Sequence, residues 1–540
     1  MKPALAESLL WAGVSLCVVL VIVFGSMIGN MDMVSLAGIV RPLTVLGVFA
    51  VLTTLGLMAF SPSLGRVFPA ALYGYFAFFH VQHLLPDFGY RHIVAYAAIV
   101  VAPLALHLVL RACDPMRAAA FSLAVAAVMA SVPLALSAPS LFYPSPPTIA
   151  EDFHEETLAA VARYGDAKSA LPDVIYVVPD RYPSAATLMR EFGADNGPFY
   201  AALEARGFVV ADNAHANYPK TFQSLASTLN GGYLDNFTAA HGIGRRDQRP
   251  VFDALEKNVA QDRLRNLGYR FHNYGNGWEP TRINRWADVN DTGSGLLNHL
   301  SEFEAALIGR TPTWNVVGLF KDVRRKSQCH RNRHKLRLLE EVGDRSEPVF
   351  VFAHILIPHE PFTMDASGRC LDPPVRYSSL NAWDDYKAAF IEYLRYFNSA
   401  VLRIIDRQIA RRRPNGRGLL FVIQSDEGPF PRAMRRAGED YDFSAMTRRE
   451  LQMKMGTINA LRLPPGTAFD PASIATPVNN WRIIFNALTG SSLKMLPHRT
   501  YIYPSAKNLY RFCDVTAVVT GEEESSPRPC PLLHSELQPE

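Results

Sequence analysis

Three acids in this chain stand where they could grip one cation. The stretch DVIYVVPDRYPS, Asp173 to Ser184, is a run of strand formers that stops at Asp180 and Arg181 and is broken by Pro183. GLLFVIQSDEGP, from Gly418, runs apolar in the same way and stops at Asp426 and Glu427. Hard carboxylate oxygens suit a divalent ion such as Mn2+ or Mg2+. Carboxylates gathered without one repel each other, so clustering implies a metal or a shared proton. The alternative is that each acid caps a following helix, where negative charge is favourable.

A hydroxyl follows. In NYPKTFQSLASTLNGGYL, Asn217 to Leu234, Phe222, Leu225, Ala226 and Leu229 keep the helical spacing i, i+3, i+4, i+7, with Thr221, Ser224 and Thr228 on the other face. Pro219 precedes this helix and two glycines end it, so Thr221 falls at a helix N-terminus, where backbone N–H groups attract phosphate. A hydroxyl held there beside a metal is a nucleophile; without a metal it is an ordinary cap. HILIPHEPF, His354 to Phe362, closes a third strand. His359, just past its end, is placed to bind a substrate phosphate or to act as general acid. His354 lies on the strand itself, facing substrate or hydrogen-bonded in the core.

The elements that must position these groups are readable from Leu171 onward. The strands DVIYVVP, GFVVADN, YRFHNYG, PVFVFAHILI and GLLFVIQS alternate with helical periods over 195–206, 252–266, 296–309, 383–412 and 479–489. Such alternation predicts a mostly parallel sheet covered by helices on both faces, with ligands bound beyond the carboxyl ends of its strands. Asp180 and Asp426 stand at such ends, and one crevice is expected between them.

Ahead of this domain come apolar stretches at 9–29, 38–60, 67–86, 93–110 and 118–138. Most approach the roughly 20 residues that cross a bilayer as a helix. Lys2, Arg66, Arg111 and Arg117 fall on one side of the five, and Arg41 and Arg91 on the other, which places the N-terminus inside and everything after residue 140 outside. The 540 residues are 49% apolar, with a mean hydropathy of +0.03, and the net charge of +4 is too mild to argue for nucleic acid. The organisation expected is an anchor over 1–140, a linker and amphipathic helix over 141–170, an extracytoplasmic domain over 171–510 and a tail over 511–540. Cys329, Cys370, Cys513 and Cys530 lie in the polar part, an even number compatible with two disulfides in an oxidising compartment, Cys329 with Cys370 among the pairings. No CxxC pair points to a zinc ribbon.

Five pieces in order, PDRY, NYPKTFQSLASTLN, FAHILIPHEPF, VIQSDEGP and TPVNNWRIIFNAL, together resemble the membrane-anchored branch of the alkaline phosphatase/sulfatase superfamily. That branch includes lipoteichoic acid synthase and the phosphoethanolamine transferases. The resemblance implies a five-helix transmembrane bundle followed by an α/β alkaline-phosphatase-like domain. Matched position by position, it implies that Asp180 and Asp426 ligate the metal and that Thr221 is the nucleophile and a further ligand. It also puts His359 near the substrate phosphate, with His354 and Arg181 toward the substrate. The family usually has Asp-His-Gly where this chain has Asp426-Glu427-Gly428. Glu427 as a ligand would shift preference from Zn2+ toward Mn2+ or Mg2+; its presence is equally compatible with a degenerate, metal-free scaffold. The Cys/Ser-x-Pro-x-Arg signature of sulfatases is missing after Thr221. What the resemblance implies is transfer of a phospho-headgroup, such as phosphoglycerol or phosphoethanolamine, from a phospholipid donor to a cell-envelope glycan or lipid. The transfer would pass through a phospho-threonine on the outer face of the bacterial cytoplasmic membrane, with hydrolysis by water as the alternative.

Overall fold

The computed structural model describes residues 3–84, 91–164, 171–293, 299–312, 318–343, 347–376, 383–411, 417–437 and 441–522. The chain forms two compact units, Met1–Tyr143 with Leu300–Val323, and Pro144–His299 with Arg324–Glu540.

The first unit holds α1 (Pro3–Ile28), α2 (Leu36–Phe60), α3 (Pro62–Leu84), α4 (Arg91–Arg111) and α5 (Pro115–Leu141). Among the described residues, three helices are long and apolar enough to cross a membrane: Ala4–Ile28, Leu36–Phe60 and Pro115–Leu141. The other two expected spans also form helices, α3 and α4, and α4 includes the apolar run Val100–Leu110. Several polar groups inside this unit are paired, as an apolar surround favours. Ser15 and Thr54 hydroxyls meet at 2.6 Å, and Arg66 reaches Glu7 at 2.7 Å. The helix Glu302–Gly309 belongs here too: Phe303 and Leu307 bury among Val19, Ile22, Val23 and Met27, and Arg41 reaches both oxygens of Glu304.

The second unit is built on seven strands: β1 (Asp173–Pro179), β2 (Val209–Val210), β3 (Arg270–Tyr274), β4 (Val289–Asp291), β5 (Val349–Ile355), β6 (Leu419–Gln424) and β7 (Asn459–Arg462). Their order across the sheet is β2-β7-β6-β1-β5-β3-β4. Strands β6, β1, β5, β3 and β4 are parallel, and β7 runs antiparallel between β6 and β2. Every residue of β1, β5 and β6 is buried, which is why these strands read as unbroken apolar runs. Val174, Tyr176 and Val178 feed the core on one face; Ile175 and Val177 feed the core on the other.

One expectation changes shape. The helical period over 252–266 splits into Arg249–Glu256 and Val259–Asn266, because Asn258 accepts from Gln261 N at 3.0 Å and starts a second helix. The helix α6 (Glu151–Tyr164) packs on the domain: Phe153 is fully buried against Phe485, and Asp152 accepts from Arg482 at 3.1 Å. Cys329 and Cys370 form a disulfide. Cys513 is also disulfide-bonded, and Cys530 lies outside the described residues.

Candidate metal centre

Strand β1 lies at the middle of the parallel run, with β6 and β5 on its flanks. The chain leaving β1 presents Asp180, the chain leaving β6 presents Asp426, and His354 is the last residue but one of β5, paired in register with Val178. Three adjacent parallel strands therefore deliver three ligating groups at one edge. Asp180, His354 and Asp426 are 3%, 1% and 0% exposed, and one ligand atom from each lies within 4.8 Å of the others. His354 Nε2 stands 3.3 Å from Asp180 Oδ2.

Backbone bonds lock the two acidic turns together. Asp180 N donates to Ile355 O at 2.9 Å, Arg181 N to Asp426 Oδ1 at 3.1 Å, and Tyr182 N to Ser425 Oγ at 2.8 Å. Arg181 holds φ at 63°, a left-handed conformation that costs a non-glycine residue energy and persists only where its surroundings enforce it. Neither acid caps a helix. The helix after β1 is capped by Ser184, and Arg432–Ala437 begins well beyond Asp426.

The atoms inside the cluster are unsatisfied. Asp180 Oδ1, Asp426 Oδ2 and His354 Nε2 are buried without a hydrogen bond of acceptable geometry among the described residues. A buried polar atom without a partner is costly, and a divalent cation would satisfy all three. The electrostatics agree. Burial pushes Asp180 up to about 7 against the pull of Arg181. Burial and the neighbouring Asp180 push Asp426 up to about 7 as well, while the Thr221 hydroxyl against it works the other way. Burial lowers His354 to about 4, which keeps the imidazole neutral, as a ligand must be. On its far side, His354 Nδ1 stands 2.8 Å from Asn276 Nδ2 and 2.9 Å from Thr281 Oγ1, and Trp278 N orients Asn276 by donating to its Oδ1 at 2.7 Å. Asn276 Nδ2 can only donate, so Nδ1 accepts and the ring proton on Nε2 faces Asp180; an ion bound at Nε2 would displace that proton to Nδ1, toward Thr281 Oγ1.

Thr221 opens the nine-residue helix α7 (Thr221–Leu229), whose N-cap is Lys220. Its hydroxyl is therefore not the cap and is placed toward Asp426. The preceding loop is held by Asn217, whose side chain donates to Thr476 Oγ1 and Arg499 O at 2.7 Å and accepts from Val478 N at 3.1 Å. This gives the TPVNNW segment a physical role: it braces the loop that presents Thr221. Every residue of α7 after Thr221 is buried, its polar face included.

Glu427 lies elsewhere than the resemblance implies. Its Oε1 takes Arg181 Nε at 3.0 Å and its Oε2 takes Lys454 Nζ at 2.8 Å, and it is not among the clustered ligand atoms. His354 has the opposite history, entering the cluster from a position read as core or substrate-facing. Two carboxylates and an imidazole form a mixed oxygen and nitrogen set, so the argument against Zn2+ that rested on Glu427 no longer holds. His359 is half-buried and directs Nδ1 to Glu360 O. Burial and then Arg181 hold its pKa well below the usual range, so the imidazole is neutral with Nε2 bare, suited to accepting a proton rather than giving one. Thr281, Asn276 and Lys454 were missed by sequence reasoning, because nothing local ties them to the strand ends.

No protein-family model and no curated protein matches the chain. Among solved structures it is similar to the C-terminal periplasmic domain of EcEptC from Escherichia coli in complex with Zn (TM-score 0.41, 14% identity, 70% of this chain and 100% of that one). It is also similar to the C-terminal periplasmic domain of the phosphoethanolamine transferase EptC from Campylobacter jejuni (TM-score 0.34, 13% identity, 61% and 91%). BT1596, a 2-O GAG sulfatase, matches with a TM-score of 0.38, 15% identity, and 66% and 76% of the two chains. At such scores these likenesses add nothing to the case made by the site itself.

Proposed function

We propose that this protein is a membrane-anchored, divalent-metal-dependent phosphotransferase that uses Thr221 as its nucleophile. The observation that carries the reading is the unsatisfied buried triad of Asp180, His354 and Asp426, with the Thr221 hydroxyl against it. Asp180, His354 and Asp426 would hold the ion, with Thr221 at its side. When bound, the metal supplies positive charge that favours ionised oxygen and offsets charge building on phosphorus.

The chain's own groups do the rest. Thr221 Oγ attacks the phosphorus of a lipid-borne phosphodiester; the Oγ–P bond forms, the P–O bond to the lipid alcohol breaks, and the threonine proton leaves with that alcohol. An acceptor hydroxyl on an envelope glycan or lipid then attacks the phospho-threonine, and its proton returns to Thr221. His359, with Nε2 bare, is the base for the acceptor hydroxyl. Arg181 meets the phosphoryl oxygens. The five-span anchor keeps the site at the outer face of the cytoplasmic membrane, where the donor lies.

Incubation with membrane lipids followed by mass spectrometry of the Thr221 peptide should show a phosphate-bearing adduct. Thr221→Ala should abolish turnover while leaving the melting temperature and bound metal in place. Full activity in Thr221→Ala would exclude the mechanism. Release of free headgroup or phosphate without a modified acceptor would make water the acceptor and the protein a hydrolase.

A further inference from the structure

Beside the open triad stands a second group of buried charges, of which the reaction above uses only Arg181. Glu427 and Lys454 have side chains 1% and 0% exposed and meet at 2.8 Å; Arg181, 11% exposed, closes on the other Glu427 oxygen at 3.0 Å. One aromatic ring backs the group. Arg181 Cζ lies 3.5 Å from the Phe430 ring centre, Lys454 Nζ 4.3 Å and Lys220 Nζ 5.3 Å. The backbone fixes the spacing. Gly428 N donates to Lys454 O at 2.7 Å, and a Cβ at Gly428 would stand 2.3 Å from Met453 O, so only glycine lets the turn after Asp426 press against the Lys454 segment.

Resting on the metal-centre reading, we propose that Glu427 is a positioning residue rather than a ligand. Lys454 neutralises Glu427 so that the charge of Arg181 stays available to an oxyanion of the substrate, a phosphomonoester or phosphodiester oxygen. The charge balance leads there. One divalent ion cancels the charges of Asp180 and Asp426, and Lys454 cancels Glu427. Arg181, largely buried and 3.8 Å from Asp180 Oδ1, is left in excess once the ion takes that carboxylate, with the half-buried Lys220 nearby. Lys454 is wholly enclosed and touches no ligand; it acts through Glu427. Without Lys454, Glu427 would pair with Arg181 alone and cancel it.

The test uses the full-length protein in nanodiscs, with Mn2+ binding followed by calorimetry and elemental analysis, and inorganic phosphate as the anion probe. Glu427→Gln should bind Mn2+ within about threefold of the parent, whereas Asp426→Asn should not bind it measurably. Lys454→Met should keep its Mn2+ but bind phosphate about tenfold to a hundredfold more weakly, the scale of one charge-assisted hydrogen bond. The double variant Glu427→Gln/Lys454→Met removes both charges, leaves Arg181 cationic and should recover phosphate binding to within about threefold. Lys454→Met is measured where its circular dichroism and Mn2+ content match the parent, so a loss of phosphate binding that the double variant restores is not a loss of fold, which is all that a merely structural lysine would give. Loss of Mn2+ from Glu427→Gln would make Glu427 a ligand and overturn the proposal. Parent-like phosphate binding by Lys454→Met, or no recovery in the double variant, would also overturn it. Failure of the parent itself to bind Mn2+ would take down the metal-centre reading, and this proposal with it.

Discussion

Asp426 and Glu427 are neighbours in the chain, both buried, both acidic, and they belong to opposite kinds of charge cluster. Asp426 joins Asp180 and His354 in a group whose inward atoms have no partner. Glu427 Oε2 also lacks a hydrogen bond of acceptable geometry among the described residues, but Glu427 joins Lys454 and Arg181 in a group whose opposite charges meet at 2.8 and 3.0 Å. The titration follows the difference. Burial, with Asp180 adding to it, raises Asp426, whereas Lys454 and Arg181 overcome burial and hold Glu427 below the usual carboxylate range. Burial of an acid is therefore not in itself a sign of chemistry. What sets the candidate site apart is two buried acids with no cation within hydrogen-bond distance, an arrangement that a bound cation would compensate.

The comparison breaks most easily at the closed cluster. Lys454→Met leaves Glu427 buried with only the partly exposed Arg181, and the loss expected for half of a buried pair is about 3–5 kcal/mol, read from the denaturant midpoint. Glu427→Gln/Lys454→Met should recover most of it, because replacing both partners is often neutral. A single variant as stable as the parent would mean that the pair is not formed. The open cluster should respond in the reverse sense. In metal-free protein at pH 8, Asp426→Asn removes one of two repelling carboxylates and should stabilise the fold by on the order of 1–3 kcal/mol. With saturating Mn2+ the order should invert, because the parent gains from the ion and the variant does not. A variant less stable than the parent under both conditions would mean that the triad is not an open cluster.

Much of this arrangement was readable in the chain, and the unreadable part has a consistent cause. Buried parallel strands leave unbroken apolar runs, so DVIYVVP and GLLFVIQS could be seen to end at acids. The short strands β4 and β7 could not be seen, because Val289–Asp291 and Asn459–Arg462 are brief and include Asn, Asp and Arg. Thr221 was located by helical spacing, but only the Lys220 cap decides that its hydroxyl is free for other work. His354 required the strand order: once β5 is known to flank β1, its penultimate residue must lie beside Asp180, and no local pattern carries that adjacency. Glu427 was misplaced for the same reason, since the lysine that claims it sits at the end of a helix over Arg448–Met455, remote in sequence.

A sharper probe of the open cluster lies in its outer support. Thr281 orients His354 from the side away from the carboxylates. Thr281→Val keeps the volume and removes the hydroxyl, and it should weaken Mn2+ binding about 10- to 100-fold with little change in metal-free stability. Unchanged affinity would mean that His354 does not ligate.

The smallest expected effect is in the pH dependence of the metal-free protein, and its sign follows from the direction of each shift. Asp180 and Asp426 are raised to about 7 in the fold. Their stabilising contribution is complete below the unfolded carboxylate range and is lost as pH rises through about 7, because the unfolded chain has already released those protons. His354, lowered to about 4, works the other way, but its contribution is lost only below about 6.5, the unfolded histidine value. Between pH 6.5 and 7.5 the carboxylates therefore dominate the triad. Metal-free stability should fall across that window by about 1 kcal/mol more in the parent than in Asp426→Asn, followed by melting temperature in a chelating buffer. Saturating Mn2+ should flatten the parent, because an ion in the triad keeps both carboxylates ionised throughout. If parent and Asp426→Asn share one slope, or if the parent gains stability relative to the variant as pH rises, the two carboxylates do not share the enclosed space on which the contrast between Asp426 and Glu427 depends.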